Sequence, residues 1–125
     1  MTDNRQYAPA TQRNREVILE TLLQILPPQG TVLEIASGTG EHSVYFAPHL
    51  HPRQWIPSDP NPSAIASITD WQKHHPSDNL SLPQLIDVTA TEWNENEYLS
   101  SQDIQAIVNI NMIHIAPLQQ YFGQI

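Results

Sequence analysis

The sequence predicts an α/β fold with a mostly parallel sheet. Short apolar runs rich in Ile and Val alternate with amphipathic stretches, and most of the eleven prolines fall at the boundaries between them. Residues 1–10 are expected as an extended arm, since Pro9 disfavours helix just before it, and 11–125 as one domain. Val17, Ile18, Leu19, Leu22, Leu23, Ile25 and Leu26 recur at helical spacing until Pro27-Pro28 and Gly30 stop them, which gives a helix over 11–26. TVLEIA (31–36) has the composition and length of a buried strand, and the loop SGTGEH after it opens a short helix limited by Pro48. RQWIPSD (53–59) reads as the second strand. Asn61 and Pro62 then supply an N-cap and first helical position for SAIASITDWQKHH. SLPQLIDVT (81–89) is the third strand, with Pro83 confined to its start because it cannot donate to a ladder. TEWNENEYLSSQ is polar and irregular, DIQAIVNINMI (103–113) is the fourth strand, and Pro117 is placed to begin a last helix.

Composition narrows the partners. Five Lys and Arg against thirteen Asp and Glu leave a formal charge of −8, which opposes a non-specific grip on nucleic acid or anionic lipid. There is no cysteine, hence no disulfide framework and no thiolate metal site. No apolar stretch reaches the length of a membrane span or resembles a signal peptide, so a cytoplasmic protein without membrane contact is expected. His42, His49, His51, His74 and His75 follow no standard zinc spacing, and no metal is expected.

The stretch Val32-Leu33-Glu34-Ile35-Ala36-Ser37-Gly38-Thr39-Gly40-Glu41 is the most informative. A strand runs straight into small residues and then a helix, so backbone N–H groups can approach a nucleotide-like ligand closely, although such loops also occur as plain turns. Asp59 ends the next strand about twenty residues on, where an acid accepts from ribose hydroxyls; Ser58-Asp59-Pro60-Asn61-Pro62 is equally good turn chemistry. Asp87 closes the third strand as an acceptor for an adenine amino group, with Val88 as apolar packing, or as an ordinary solvated acid. Asn109, Asn111 and His114 interrupt an apolar run at the end of the fourth strand. Buried amides there need backbone or ligand partners, because an unpaired one costs about 1–3 kcal/mol.

In these residues the chain resembles class I S-adenosylmethionine-dependent methyltransferases. Glu34-Ile-Ala-Ser-Gly-Thr-Gly is similar to their acidic-x-Gly-x-Gly-x-Gly first motif, with Ala36 where a first glycine usually stands, and Asp59, Asp87 and NINMIHI follow in the family's order. LEIASGTGEH, WIPSDP, NINMIHIAP and an N-terminal RNREVIL helix are similar to a methyltransferase-like family of unknown function, from about residue 8 onward. The resemblance implies a three-layer Rossmann-like fold of which the first four strands are present, and S-adenosylmethionine as cofactor. It also implies cofactor contacts from Arg13, Glu34, Ala36, Ser37, Gly38, Thr39, Gly40, Asp59, Pro60, Asp87, Val88, Asn109, Asn111 and Met112. Ala36 is expected to be tolerated at a negative φ.

Methyl transfer from a sulfonium needs alignment and exclusion of water more than a dedicated base. His114 is the candidate general base, with a structural histidine the plainer alternative, and Arg13 is a candidate for the cofactor carboxylate, with a solvated helix face the plainer one. The acceptor is unidentified, with a small molecule favoured over nucleic acid. The resembled fold continues through three more strands; if the 125 residues are the whole product, the fourth is expected to have a bare edge that pairs with a second copy or is covered by the C-terminal segment. Two rival readings stand: a non-catalytic cofactor-binding or scaffold module, and an NAD-dependent oxidoreductase, which the acidic Glu41 after Gly40 and the lack of a third glycine disfavour.

Overall fold

The structure, a computed structural model, describes residues 3–7, 9–87, 102–110 and 114–117. Helix α1 spans Pro9–Ile25, starting at a proline whose missing N–H would be unsatisfied in a first turn anyway. Ile18, Leu22 and Leu26 are buried at four-residue intervals. Strand β1 (Thr31–Glu34) is buried throughout, as expected of a central parallel strand. Helix α2 (Glu41–His49) follows the loop, with Gly40 at its N-cap in the left-handed region. Strand β2 (Gln54–Asp59) leads to α3 (Pro62–His74), whose N-cap Asn61 accepts a hydrogen bond from the Ser63 N–H at 2.9 Å.

Strands β3 (Gln84–Leu85), β4 (Ile104–Asn109) and β5 (His114–Pro117) complete a sheet of order β3-β2-β1-β4-β5. The first four run parallel, and β5 is antiparallel to β4. Val32, Trp55, Ala106 and Val108 pack with α1 and α2, while Leu33, Ile56 and Ile107 on the opposite face are fully buried too. Both faces of the sheet are therefore covered, as a parallel sheet requires. No described helix is long and apolar enough to cross a membrane.

Three expectations change. The third strand, expected over 81–89, is only two residues long. Trp55 exchanges bonds with the 79–81 backbone and Ile86 N–H reaches the Asp59 carbonyl, but between these contacts Pro57 has no N–H to offer and Pro83 none to return. The fourth strand, expected to run to 113, stops at Asn109. Residues 114–117 instead turn back along it, pairing Ala106 with Pro117 and Asn109 with His114. Pro117 accordingly ends a strand and does not start a helix. Of the two coverings expected for the β4 edge, the C-terminal segment is the one seen: β5 pairs with it from Ala106 to Asn109.

The N-terminal residues 4–7 lie on α3. Asn4 N–H donates to Asp70 Oδ2 at 2.7 Å, Gln6 N–H to Ser67 Oγ at 2.8 Å, and the Trp71 indole N–H to the Gln6 carbonyl at 2.9 Å. Tyr7 meets the Trp71 ring edge-to-face with centroids 5.2 Å apart, and the Arg5 guanidinium sits 5.2 Å from that ring's centre.

Candidate functional site

Strand order puts the loop after β1 beside the point where connections diverge, β2 and β3 lying to one side and β4 to the other. Ligands of open parallel sheets bind at such a switch point, at the carboxyl ends of the strands. Three of the sequence-predicted elements meet there.

The loop is shaped by backbone that favours glycine. Gly38 has φ +66° and Gly40 φ +94°, for different reasons. A Cβ on Gly40 would lie 2.8 Å from Ile68 Cα, so this glycine lets α3 pack against the start of α2. A Cβ on Gly38 would meet nothing within 4 Å: here the loop faces open space. Ala36 also has a positive φ, +53°, which corrects the expectation of a negative one; a non-glycine residue holds a strained left-handed conformation where the resembled motif has glycine.

Asp59 is tied to this loop. Its Oδ2 accepts the Gly38 N–H at 3.0 Å and its Oδ1 the Asn61 N–H at 2.9 Å. The plainer reading of Asp59 as turn chemistry is met as well, by its bond from the Asn61 N–H, while Asn61 itself caps α3. Each carboxylate oxygen keeps a further lone pair for a hydroxyl donor. Ser37 and Ser58 stitch the two strand ends together: Ser37 N–H donates to the Ser58 carbonyl at 2.8 Å, and Ser58 N–H to Ser37 Oγ at 3.0 Å. Pro60 is exposed between Asp59 and the α3 cap. Asp87 is exposed two residues beyond β3, at the same end of the sheet as Asp59.

Glu34 requires a correction. It was expected among the cofactor contacts, but it is 1% exposed and points beneath the loop, where its Oε1 accepts from Ser43 Oγ at 2.5 Å and from the Trp55 indole at 3.0 Å. Burial pushes its carboxyl above the usual carboxylate range, against the lowering effect of those donors. Its work is to join β1, β2 and α2 under the loop. Thr39 turns to Glu41: its Oγ1 donates to Glu41 Oε1 and accepts the Glu41 N–H, each at 3.3 Å.

Across the switch point, the Oδ1 of Asn109 is buried with no hydrogen-bond partner among the described residues. His114 is its backbone partner across the β4–β5 ladder, which brings both predicted positions to the same strand end. Arg13 lies in α1, but its side chain is outside the described residues, as are Val88, Asn111 and Met112 altogether. Sequence reasoning missed Ser43, Ser58 and Ser67, which hold the loop through hydroxyl bonds; isolated serines carry no periodic signal.

The comparisons with known proteins bear on the family and the fold. A family model described as "Protein of unknown function (DUF938)" matches residues 5–125. The chain belongs to that family. Among solved structures, it is similar to a coclaurine N-methyltransferase bound to N-methylheliamine and SAH, with TM-score 0.54 and 16% identity over 72% of this chain and 25% of that one. It is also similar to the CurJ carbon methyltransferase, with TM-score 0.51 and 23% identity over 84% of this chain and 28% of that one. The chain thus has the Rossmann-like α/β fold of these two structures. The chain spans about a quarter of the length of either structure.

Proposed function

We propose that this DUF938 chain binds S-adenosylmethionine at the carboxyl edge of its sheet and serves methyl transfer to an acceptor, with a small molecule favoured. One observation carries the reading: Gly38, open on its Cβ side, is bonded to the Asp59 carboxylate, while across β1 the buried Asn109 carbonyl oxygen has no partner among the described residues. A loop with clearance, an acid with spare lone pairs and an orphaned acceptor are what a ligand bearing hydroxyl and amino donors needs.

The residues present fit that cofactor. Asp59 would accept from the ribose hydroxyls, residues 36–40 would pass under the methionine portion, and Asn109 would accept from its ammonium group. Asp87 lies on the adenine side, and Arg13 and His114 remain the proposed carboxylate contact and general base. The bound cofactor supplies an activated methyl group on a sulfonium. The chain's task is positioning: Glu34, Ser37, Ser43 and Ser58 hold the loop rigid from below, so that little ordering remains to be done on binding. Against a dinucleotide, Glu41 puts a carboxylate in the first turn of α2, and its N–H is already taken by Thr39.

Calorimetric titration with S-adenosylmethionine, S-adenosylhomocysteine and NAD tests the reading, alongside Asp59→Ala and Asn109→Ala. The first two ligands should bind and NAD should not. Asp59→Ala should abolish binding. Asn109→Ala should weaken it about tenfold with little change in melting temperature, because the removed oxygen has no partner among the described residues. Binding of NAD alone would overturn the proposal.

A further inference from the structure

Ser67 lies outside the site and is fully buried in α3, yet its single hydroxyl joins two segments far apart in sequence. It donates to the Thr39 carbonyl at 2.6 Å and accepts the Gln6 N–H at 2.8 Å. A hydroxyl has one proton, so the donation to Thr39 and the acceptance from Gln6 are complementary, and each polarises the other. The Thr39 carbonyl is in turn rigidly linked to its neighbour. In a trans peptide the C=O and the following N–H point in opposite directions, so turning Thr39 C=O toward α3 aims the Gly40 N–H away from it. The next residue of α3, Ile68, leaves no room for a side chain at Gly40. Two adjacent α3 residues therefore set the orientation of the loop's last peptide, and one of them is bonded to the N-terminal arm.

The arm is docked by more than this contact. Asn4 N–H on Asp70, the Gln6 carbonyl on Trp71, and the Tyr7 and Arg5 contacts with the Trp71 ring hold it along α3. The Asn4 N–H keeps the Asp70 carboxyl below its ordinary range, as an acceptor of a backbone donor should be.

We propose that Ser67 is a positioning residue that couples the arm to the glycine-rich loop, so that docking of residues 4–7 on α3 strengthens binding of the S-adenosyl ligand although the arm residues need not touch it. The inference rests on the proposed cofactor and deepens it by adding an element of the same binding machinery. Linkage makes it reciprocal: whatever factor the docked arm adds to ligand affinity, the ligand must add to arm docking.

The test uses the full chain and S-adenosylhomocysteine. Gln6→Pro removes the N–H that Ser67 accepts and leaves the Ser67–Thr39 bond in place; Ser67→Ala removes both bonds. In calorimetric titration, Gln6→Pro should weaken binding roughly three- to tenfold at an unchanged melting temperature, and Ser67→Ala at least as much. In the unaltered chain, saturating ligand should slow tryptic cleavage after Arg5 by a similar factor. In Ser67→Ala that protection should be lost. If Gln6→Pro binds like the unaltered chain and the ligand leaves cleavage after Arg5 unchanged, the coupling is overturned while the cofactor reading stands. If the unaltered chain binds no S-adenosylhomocysteine, both fall together.

Discussion

Gly38 and Gly40 are two residues apart in one loop, both have positive φ, and alanine at either is expected to fail for a different reason. At Gly40 the new Cβ would stand 2.8 Å from Ile68 Cα and 3.0 Å from Ile68 Cγ1, inside ordinary contact with backbone that cannot swing aside. The strained backbone costs about 1–2 kcal/mol and the forced separation of α2 from α3 about 1–3 kcal/mol more, for a total of about 2–5 kcal/mol. At roughly 4 °C per kcal/mol for a domain of this size, the melting temperature should fall by about 8–20 °C. At Gly38 there is no clash, and the Asp59 bond to its N–H survives, so only the backbone term of about 1–2 kcal/mol remains. Its methyl group, however, projects into the space where the ligand is proposed to lie. Gly38→Ala should therefore melt only about 4–8 °C lower while S-adenosylhomocysteine affinity falls roughly ten- to a hundredfold. Denaturation and calorimetry on both variants read out the contrast. Equal destabilisation at the two positions would refute the packing argument, and full affinity in Gly38→Ala would show that no ligand crosses this face of the loop.

Two other outcomes follow from the same loop. Ala36→Gly removes the cost of a methyl-bearing residue at φ +53° and should raise stability by up to about 1 kcal/mol, read from the urea midpoint at constant slope; a loss of stability would mean that the Ala36 methyl packs more than it strains. Glu34→Gln keeps an oxygen for Ser43 and Trp55 but removes the titration. In the unaltered chain the unfolded carboxyl ionises near 4.5 and the buried one only at higher pH, so the unfolded state gives up its proton first and stability declines as pH rises from 4.5 through the raised folded value. The glutamine variant should lack that decline, and parallel pH profiles of the two proteins would refute it.

Much of the chain was legible because its local signals agree with its global ones. The apolar period of α1, the all-buried β1, the Asn61-Pro62 start of α3 and the position of Asp59 beside the glycine loop were all readable from residue spacing, since each element's hydrophobic pattern and its punctuation point to one outcome. Where two signals competed, spacing misled. The run from 103 to 113 reads as one strand because Ile and Val dominate it, yet it leaves the ladder after Asn109, and residues 114–117 return along it. Pro57 lies inside β2, but the N–H it lacks is missed by the neighbouring strand.

By itself, then, the sequence determined the order of elements, the mostly parallel sheet and the loop–acid pair, which follow from the alternation of strand and helix periods along the chain. The tertiary structure decided what those residues face. It turned Glu34 inward and left Gly38 clear, forced Ala36 to a positive φ, and left the Asn109 oxygen without a partner among the described residues. It also joined Gln6 to Thr39 through Ser67. The direction of a side chain and the partners of a hydroxyl are set by segments tens of residues away, and no local pattern encodes them.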